Sequence, residues 1–174
     1  MQAIPRGTES MSGQFQPVPE TRRKRLLVPI NANEDSRWGA AYALRRREAG
    51  DEVEVCFLNV GEIITQWQVL RFRTQAEIAA FQAERAEAFI EEASQALLAR
   101  DIPCRGYFKQ GDIVFSILDT AEELQCDEIV LPLPHHGLGT LFSRDIVAAV
   151  ARRQRDIPVV TVDRFGEARA GPAH

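Results

Sequence analysis

The sequence predicts one α/β domain built on an open, mostly parallel five-stranded sheet with helices on both faces. Two observations predict it. Apolar segments of strand length alternate with amphipathic helical segments, and several strands, such as LLVPI, are apolar without interruption, which is typical of strands covered on both faces. Right-handed crossovers between successive strands then place helices on the two sides of the sheet. A length of 174 residues suits one domain.

Five strands and four helices are predicted in alternating order. The strands lie within residues 25–31, 52–60, 102–111, 127–134 and 157–163, and the helices cover about 35–49, 75–100, 113–124 and 143–155. Asn33 or Asp35 is predicted to cap the first helix, Gly50 to stop it, and Asp112 to cap the third. In the second helix, small side chains recur at steps of three and four, which indicates close packing against the sheet. Residues 61–74 stay unassigned.

The two ends of the chain are predicted to be tails outside a domain that spans residues 24–165. Residues 1–23 are rich in Gln, Pro, Gly, Ser and Glu, and hold too few large apolar side chains to offset the entropy of ordering. Residues 166–174 are polar and contain glycine. The basic run at residues 22–25 is interpreted as a solvated strand edge, and nucleic-acid or membrane binding is its alternative.

Composition predicts a cytoplasmic protein that binds neither nucleic acid nor membrane. The formal net charge of -4 provides no overall attraction to nucleic acid. The odd number of cysteines, without zinc-like spacing, indicates reduced core residues: Cys56, Cys104 and Cys126. No apolar run approaches the roughly 20 residues that span a bilayer. The first residues lack the apolar core of a signal peptide.

The candidate site lies in two loops of the predicted sheet. Ligands of such sheets bind at the carboxyl ends of the strands, near the point where the strand order reverses. The loops that follow the first and fourth strands cover residues 31–36 and 132–144. The second loop belongs to the segment LPLPHHGLGTLFSRD, whose two glycines suit turns with positive φ.

Three segments in order resemble the universal stress protein family over residues 24–163. LLVPINANEDS resembles the family's opening strand and loop, VPVDGSxxS. GDIVFSILDTAEELQCDEIVLP resembles GDPxxxIxxxAxxxxxDLIVMG, and GLGTLFSRDIVAAVARRQRDIPVVTVD resembles the closing GLxxLLLGSVxxxVxxxxxxPVLVV. The resemblance implies an adenine nucleotide alpha hydrolase-like, Rossmann-like fold with strand order 3-2-1-4-5. It also implies a stress-response or regulatory role without catalysis.

The same resemblance implies a homodimer formed through the fifth strand. The predicted interface consists of Val159, Val160, Thr161 and Val162. As the last strand of an open sheet, this segment exposes an edge that must be paired or protected, and pairing with a symmetry mate closes both edges. Contacts with further, unidentified proteins are the expected mode of action.

The nucleotide signature of the family is altered in this sequence. Members that bind ATP use an acidic residue after the first strand and a G-x-x-G-x9-G-[S/T] motif after the fourth. The acidic position falls on Asn31, and the first two glycines fall on Pro132 and near His135. The closing pair falls on Arg144 and Asp145. Proline lacks the N–H that a phosphate loop donates. A carboxylate in the first helical turn gains roughly 0.3 to 1 kcal/mol from the helix dipole and repels a triphosphate. We therefore expect no ATP and no other cofactor.

Two alternatives stay open. In the first, Arg144, His135 and His136 hold the phosphate of ATP or AMP through their side chains. The other residues of that site follow the first, second and fourth strands: Asn31, Ala32, Val60, Pro132, Gly137 and Asp145. In the second, residues 31–36 serve an adenylating enzyme, because NANEDS resembles the SGGxDS loop of ATP pyrophosphatases without its glycines. Asp35 and Ser36 are better explained as helix-capping residues. No metal is expected, since the histidine pair has no Cys or acidic partner at a ligand spacing.

Overall fold

The computed structural model describes residues 22–134, 144–154 and 156–169. The strands in these residues are β1 (Lys24–Pro29), β2 (Val53–Gly61), β3 (Cys104–Gln110), β4 (Glu128–Pro132), β5 (Val159–Val162) and β6 (Ala168–Arg169). They form one sheet in the order β3-β2-β1-β4-β5-β6. The first five strands are parallel, and β6 runs antiparallel to β5. The predicted order of the first five strands and their parallel arrangement are confirmed.

The helices cover both faces of the sheet, as the sequence predicts. They are α1 (Trp38–Glu48), α2 (Trp67–Leu70), α3 (Gln75–Leu98), α4 (Ile113–Glu123) and α5 (Arg144–Arg153). Because successive side chains of a strand point to opposite faces, Leu26 and Val28 pack towards α1 and α3, whereas Leu27 packs towards α4 and α5. All three side chains are fully buried, and burial of each stabilises the fold by about 1.5 to 3 kcal/mol.

The predicted number of five strands is wrong, because the chain after β5 turns back and adds β6. Thr161 and Val162 of β5 pair with Arg169 and Ala168. The residues of β6 are exposed, so they carry no apolar pattern that would distinguish a strand from a tail. β6 also lies beyond residue 165, where the sequence predicts the domain to end, and the predicted domain limits themselves stay a prediction.

The first helix begins three residues later than predicted. Glu34–Arg37 form a 3₁₀ turn, and α1 follows at Trp38. Asn33 occupies the position before this turn without a side-chain capping bond. Neither of the predicted caps, Asn33 or Asp35, therefore stands at the start of α1. Asp35 is buried within the 3₁₀ turn instead.

The other helix starts follow local capping chemistry. Asp112 accepts a hydrogen bond from the Phe115 amide at 2.8 Å, so the predicted cap of α4 is confirmed. Thr74 and Glu77 form a reciprocal capping box at the start of α3. The unassigned segment before it contains the short helix α2.

The three cysteines lie in or near the core. Cys56 and Cys126 are buried, Cys104 is half-buried, and all three are free thiols. Across the ranges that the structure describes, no helix combines the length and the hydropathy that a membrane span requires. The cytoplasmic location itself stays a prediction.

Candidate functional site

The carboxyl ends of β1, β2 and β4 meet at one edge of the sheet. β1 lies between β2 and β4, so the strand order reverses there and the crevice that commonly binds ligands opens above it. The pairing of β1 with β2 continues one residue past the strand, where the Ile30 amide donates to the Leu58 carbonyl at 2.8 Å. The segment that follows, residues 30–36, is called the β1 loop below.

Hydrogen bonds within the β1 loop hold it in place. The Asn31 Oδ1 accepts from the Asn33 amide at 2.7 Å, which is the asparagine turn that such side chains favour. The Asn31 amide donates to the Ser36 Oγ at 3.2 Å. That hydroxyl lies 2.7 Å from the Asn33 carbonyl and 3.1 Å from the Asn31 carbonyl. Ser36 is 1% exposed, so its hydroxyl makes hydrogen bonds within the loop and not with solvent.

Asn59, near the end of β2, fixes the base of the same loop. Its Nδ2 donates to the Ile30 carbonyl at 2.8 Å, and the residue is buried. Sequence reasoning missed Asn59. The available signal was an amide side chain inside the apolar run VCFLNV, where a buried polar group requires a partner.

The β1 loop also carries negative charge. Asp35 is 6% exposed, and the neighbouring Glu34 is exposed. Both belong to the 3₁₀ turn at the end of the loop, and the N-terminus of a helical turn favours anions. A phosphate placed at this turn would meet two carboxylates.

One polar atom of the Asn31 side chain has no hydrogen-bond partner among the described residues. The Asn31 Nδ2 is buried and makes no hydrogen bond to any residue that the structure describes. The amide cannot be turned round without loss, because the Asn33 N–H requires the Oδ1 as acceptor. A buried donor without a partner costs about 1 to 3 kcal/mol. The edge of the site therefore offers the two N–H donors of this amide to a water or to a ligand oxygen.

On the other side of the crevice, β4 ends at Pro132, the residue at which its loop is predicted to begin. Pro132 is buried and pairs with Val162. The Leu133 amide donates to the Val162 carbonyl at 2.7 Å, so the missing N–H of the proline costs no bond to β5. The register of β1 with β4, extended from Leu27 opposite Ile129, places Pro132 beside the base of the β1 loop.

The structure describes only some of the candidate residues between β4 and α5. His135, His136 and Gly137 lie outside the described residues. Arg144 begins α5, and its side chain also lies outside what is described. Asp145 is exposed in the first turn of α5, as the sequence predicts.

Two further candidates lie on the β1 and β2 side of the crevice. Ala32 is exposed in the β1 loop, and Val60 is half-buried near the end of β2. Val60 packs against the apolar cluster beneath α4 and α5. The structure therefore brings Asn31, Ala32, Asn59 and Pro132 to one edge. No group of three or more His, Cys, Asp or Glu side chains in the described ranges is placed to hold a metal ion.

A second polar cluster lies at the opposite edge of the sheet, where β4 begins. The Tyr42 hydroxyl donates to the Glu128 Oε2 at 2.9 Å and accepts from the Arg46 Nη1 at 2.6 Å. Burial raises the pKa of Tyr42, and the bond to Glu128 raises it further. Burial alone lowers the pKa of Arg46, but its hydrogen bonds to Asp51, Glu128 and Tyr42 raise it overall. This cluster ties α1 to β4 and lies away from the crevice.

Comparison with known proteins identifies the family. The model of the universal stress protein family matches residues 22–163. This chain belongs to that family. The predicted resemblance is therefore confirmed over nearly the whole domain. No curated protein is significantly similar in sequence to this universal stress protein.

Solved structures share the fold of this universal stress protein. The structure of hypothetical protein MJ0577 is 20% identical with a TM-score of 0.65, over 81% of this chain and 96% of that one. A universal stress protein in complex with cAMP is 18% identical with a TM-score of 0.57, over 82% and 98%. A family member from Arabidopsis thaliana with AMP bound is 16% identical with a TM-score of 0.58, over 81% and 92%. At such identities the likeness concerns the fold alone.

Proposed function

We propose that this universal stress protein is a stress-response regulatory domain that acts through protein contacts and does not bind ATP. The observation that carries the proposal is that most side-chain hydrogen bonds of the β1 loop are made within the loop. Its asparagine turn and the Ser36 hydroxyl use the loop's own polar groups, and Asp35 is buried beside them. A cytoplasmic location and a homodimer through β5 belong to the same proposal, on the basis of composition and family.

The charge of the loop supports this proposal. A triphosphate requires donors and positive charge at close range. Here the turn after β1 presents Glu34 and Asp35, and α5 presents Asp145 in its first turn. On the β4 side, Pro132 contributes no N–H.

Ligand-induced stabilisation tests the proposal. Thermal unfolding of the full chain is measured alone and with millimolar Mg-ATP, AMP or cAMP, and freshly purified protein is denatured and assayed for released nucleotide. We expect no change in Tm and no nucleotide. A ligand present at 100 times its Kd adds about 2.7 kcal/mol of stability, so a rise in Tm with Mg-ATP contradicts the proposal.

A second candidate function is nucleotide or phosphate binding in an altered manner. Two observations favour it: the buried Asn31 Nδ2 that lacks a hydrogen-bond partner in the described chain, and structural relatives described in complex with cAMP and with AMP bound. In this arrangement the Asn31 Nδ2 donates to a ligand oxygen, and Arg144, His135 and His136 hold the phosphate.

Paired variants separate the two candidates. If AMP binds, Asn31→Leu should weaken binding because it removes the donor, and a variant with alanine at Arg144, His135 and His136 should abolish it. Gln110→Leu changes an exposed amide on β3 and serves as the matched control. Absence of AMP, ATP and cAMP binding to the unaltered chain at millimolar concentration excludes this function.

No observation favours the adenylating enzyme. The Ser36 hydroxyl lies within 3.2 Å of three backbone groups of its own loop, and so it has no direction left for a substrate. Asp35 is buried. A pyrophosphate-release assay with ATP, compared between the unaltered chain and Ser36→Ala, tests this directly, and we expect no release from either.

A further inference from the structure

The chain after β5 folds back along the outer edge of the sheet. β6 pairs with Thr161 and Val162 of β5. The Thr161 hydroxyl also donates to the Arg169 carbonyl at 3.1 Å. Residues 163–169, which comprise the turn and β6, are called the edge strap below.

The direction of the peptide groups shows what the edge strap covers. The Pro158 carbonyl accepts a hydrogen bond from an amide of β4 at 2.9 Å. The Val162 carbonyl accepts one from the Leu133 amide, just after β4, at 2.7 Å. Peptide groups alternate in direction along a strand. The groups of Val159, Thr161 and Asp163 therefore point away from β4, towards the open edge.

The edge strap occupies two of these three outward-facing positions. Thr161 pairs with Arg169, and the Asp163 amide donates to the Glu167 carbonyl at 3.1 Å. Unpaired backbone groups on an edge strand are a template for pairing with another chain. In the described structure, most of that template is covered by the protein's own chain.

The Asp163 carboxylate organises the turn of the strap. It accepts hydrogen bonds from the Phe165 and Glu167 amides at 2.9 and 3.0 Å. It also accepts from the Arg169 guanidinium at 3.0 Å. These hydrogen bonds hold the pKa of Asp163 below its usual value. The bond from the Glu167 amide has the largest effect, followed by the bonds from the Phe165 amide and the guanidinium.

The turn is docked on α1 through a glycine. Gly166 is buried and has φ +70. A Cβ at this position would lie 2.4 Å from the Tyr42 amide nitrogen and 2.5 Å from the Ala41 carbonyl carbon. Only glycine fits such an approach of two backbones. Glu167 adds an ion pair to Arg45 of α1 at 3.5 Å.

We propose that the edge strap is a removable cap that keeps β5 from pairing with a second copy of this chain. When two copies of one edge strand pair about a twofold axis, the strands run antiparallel. A pairing centred on Val160 sets Val159 opposite Thr161 of the second copy, so that the outward-facing peptide groups of the two residues meet. Since β6 already covers Thr161 and Val162, strap and second copy compete for the same edge. This inference rests on the proposed homodimer through β5, which forms when the strap is displaced, and does not depend on whether the β1 loop binds a nucleotide.

Displacement of the strap in the full chain tests the inference. Gly166→Val forces the turn away from the α1 backbone. Gly50→Val is the matched control, because Gly50 also has a positive φ, of +95, but a Cβ added there would meet nothing within 4 Å. Sedimentation velocity over a concentration series measures the dimer Kd. We expect Gly166→Val to lower this Kd at least about tenfold relative to the unaltered chain and to Gly50→Val, which corresponds to about 1.4 kcal/mol.

A second variant decides the matter if Gly166→Val fails to fold. Arg169→Pro removes the N–H that faces Thr161 and the guanidinium that binds Asp163, and the residue is exposed, so the core stays intact. We expect it to lower the dimer Kd in the same direction. Its Thr161 amide should exchange rapidly in the monomer and become protected as the dimer forms. An equal monomer–dimer distribution in Arg169→Pro and in the unaltered chain overturns the proposal.

Discussion

The Asn59 Nδ2 donates a 2.8 Å hydrogen bond to the carbonyl of Ile30 and so joins the end of β2 to the start of the β1 loop. The bond lies in the buried part of the crevice edge. Because Ile30 also donates its amide to Leu58, both of its peptide groups are bound to β2. The geometry of the crevice therefore depends on an amide side chain that takes no part in the family motif.

We expect Asn59→Leu to lower the free energy of unfolding by about 1 to 3 kcal/mol, since it leaves the buried Ile30 carbonyl without its partner. Urea denaturation measures the change. Gln110→Leu, which removes an exposed amide bonded to Gln82, should change the free energy of unfolding by less than about 0.5 kcal/mol. Equal effects of the two variants contradict the role assigned to Asn59.

Ser36→Ala should open the β1 loop locally. The substitution removes the acceptor of the Asn31 amide and the donor to the Asn33 carbonyl, which costs about 1 to 3 kcal/mol. In amide hydrogen exchange, the Asn31 amide should lose protection. The Ile30 amide, which is bonded to Leu58, provides the internal control and should keep its protection. A loss at both positions indicates global destabilisation.

Features fixed by neighbouring residues could be predicted from the sequence, and features fixed by distant contacts could not. The cap at Asp112 depends on an amide three residues away, and the strands show their two-sided burial in their own composition. The 3₁₀ turn after β1 is a local exception, because the hydrogen bonds that join Ser36 to Asn31 and Asn33 depend on the conformation of the Ser36 side chain. β6 depends on Gly166 fitting against the backbone of α1, which belongs to the first half of the chain. No local pattern encodes that contact.

The same distinction applies to the candidate site. The position of the β1 loop follows from the strand order, which brings Asn31 and Ala32 to the crevice edge, and their part in binding stays a prediction. Asn59 was missed because its role depends on the β1–β2 register, in which Leu58 lies opposite Pro29. The orphaned Asn31 Nδ2 depends on the turn that engages its Oδ1. Both roles follow from side-chain positions in the folded chain, which the sequence alone does not give.

Tyr42→Phe should lower the free energy of unfolding at neutral pH, and this difference from the unaltered chain should disappear at alkaline pH. The folded pKa of Tyr42 is raised above the ordinary value of 10.0, so its contribution is fully present below about pH 10 and is lost as pH rises through the raised pKa. We expect the unaltered chain to exceed Tyr42→Phe by about 1 kcal/mol near neutral pH, with a decreasing difference above about pH 10. Urea denaturation at several pH values measures it. A difference that increases with pH contradicts this assignment.

Gly39→Ala should destabilise the contact between α1 and β1. A Cβ on Gly39 would lie 2.5 Å from the Val28 Cγ1, and Val28 is fully buried in the core, so the valine has no space into which to move. Overpacking of this kind costs about 1 to 3 kcal/mol, although alanine favours the helix by up to about 1 kcal/mol. We therefore expect a net loss of free energy of unfolding.

A double-mutant cycle with Val28→Ala isolates that contact. Removal of the valine methyl groups makes room for the new Cβ, so Gly39→Ala should cost less in the Val28→Ala background than alone. We expect a favourable coupling energy of about 0.5 to 3 kcal/mol, as found for residues in contact. Gly39→Ala paired with Val53→Ala provides the control, because the Cβ approach in question is to Val28 alone among the nearest atoms. Strict additivity with Val28→Ala would show that α1 moves away from β1 and that Gly39 does not set their separation.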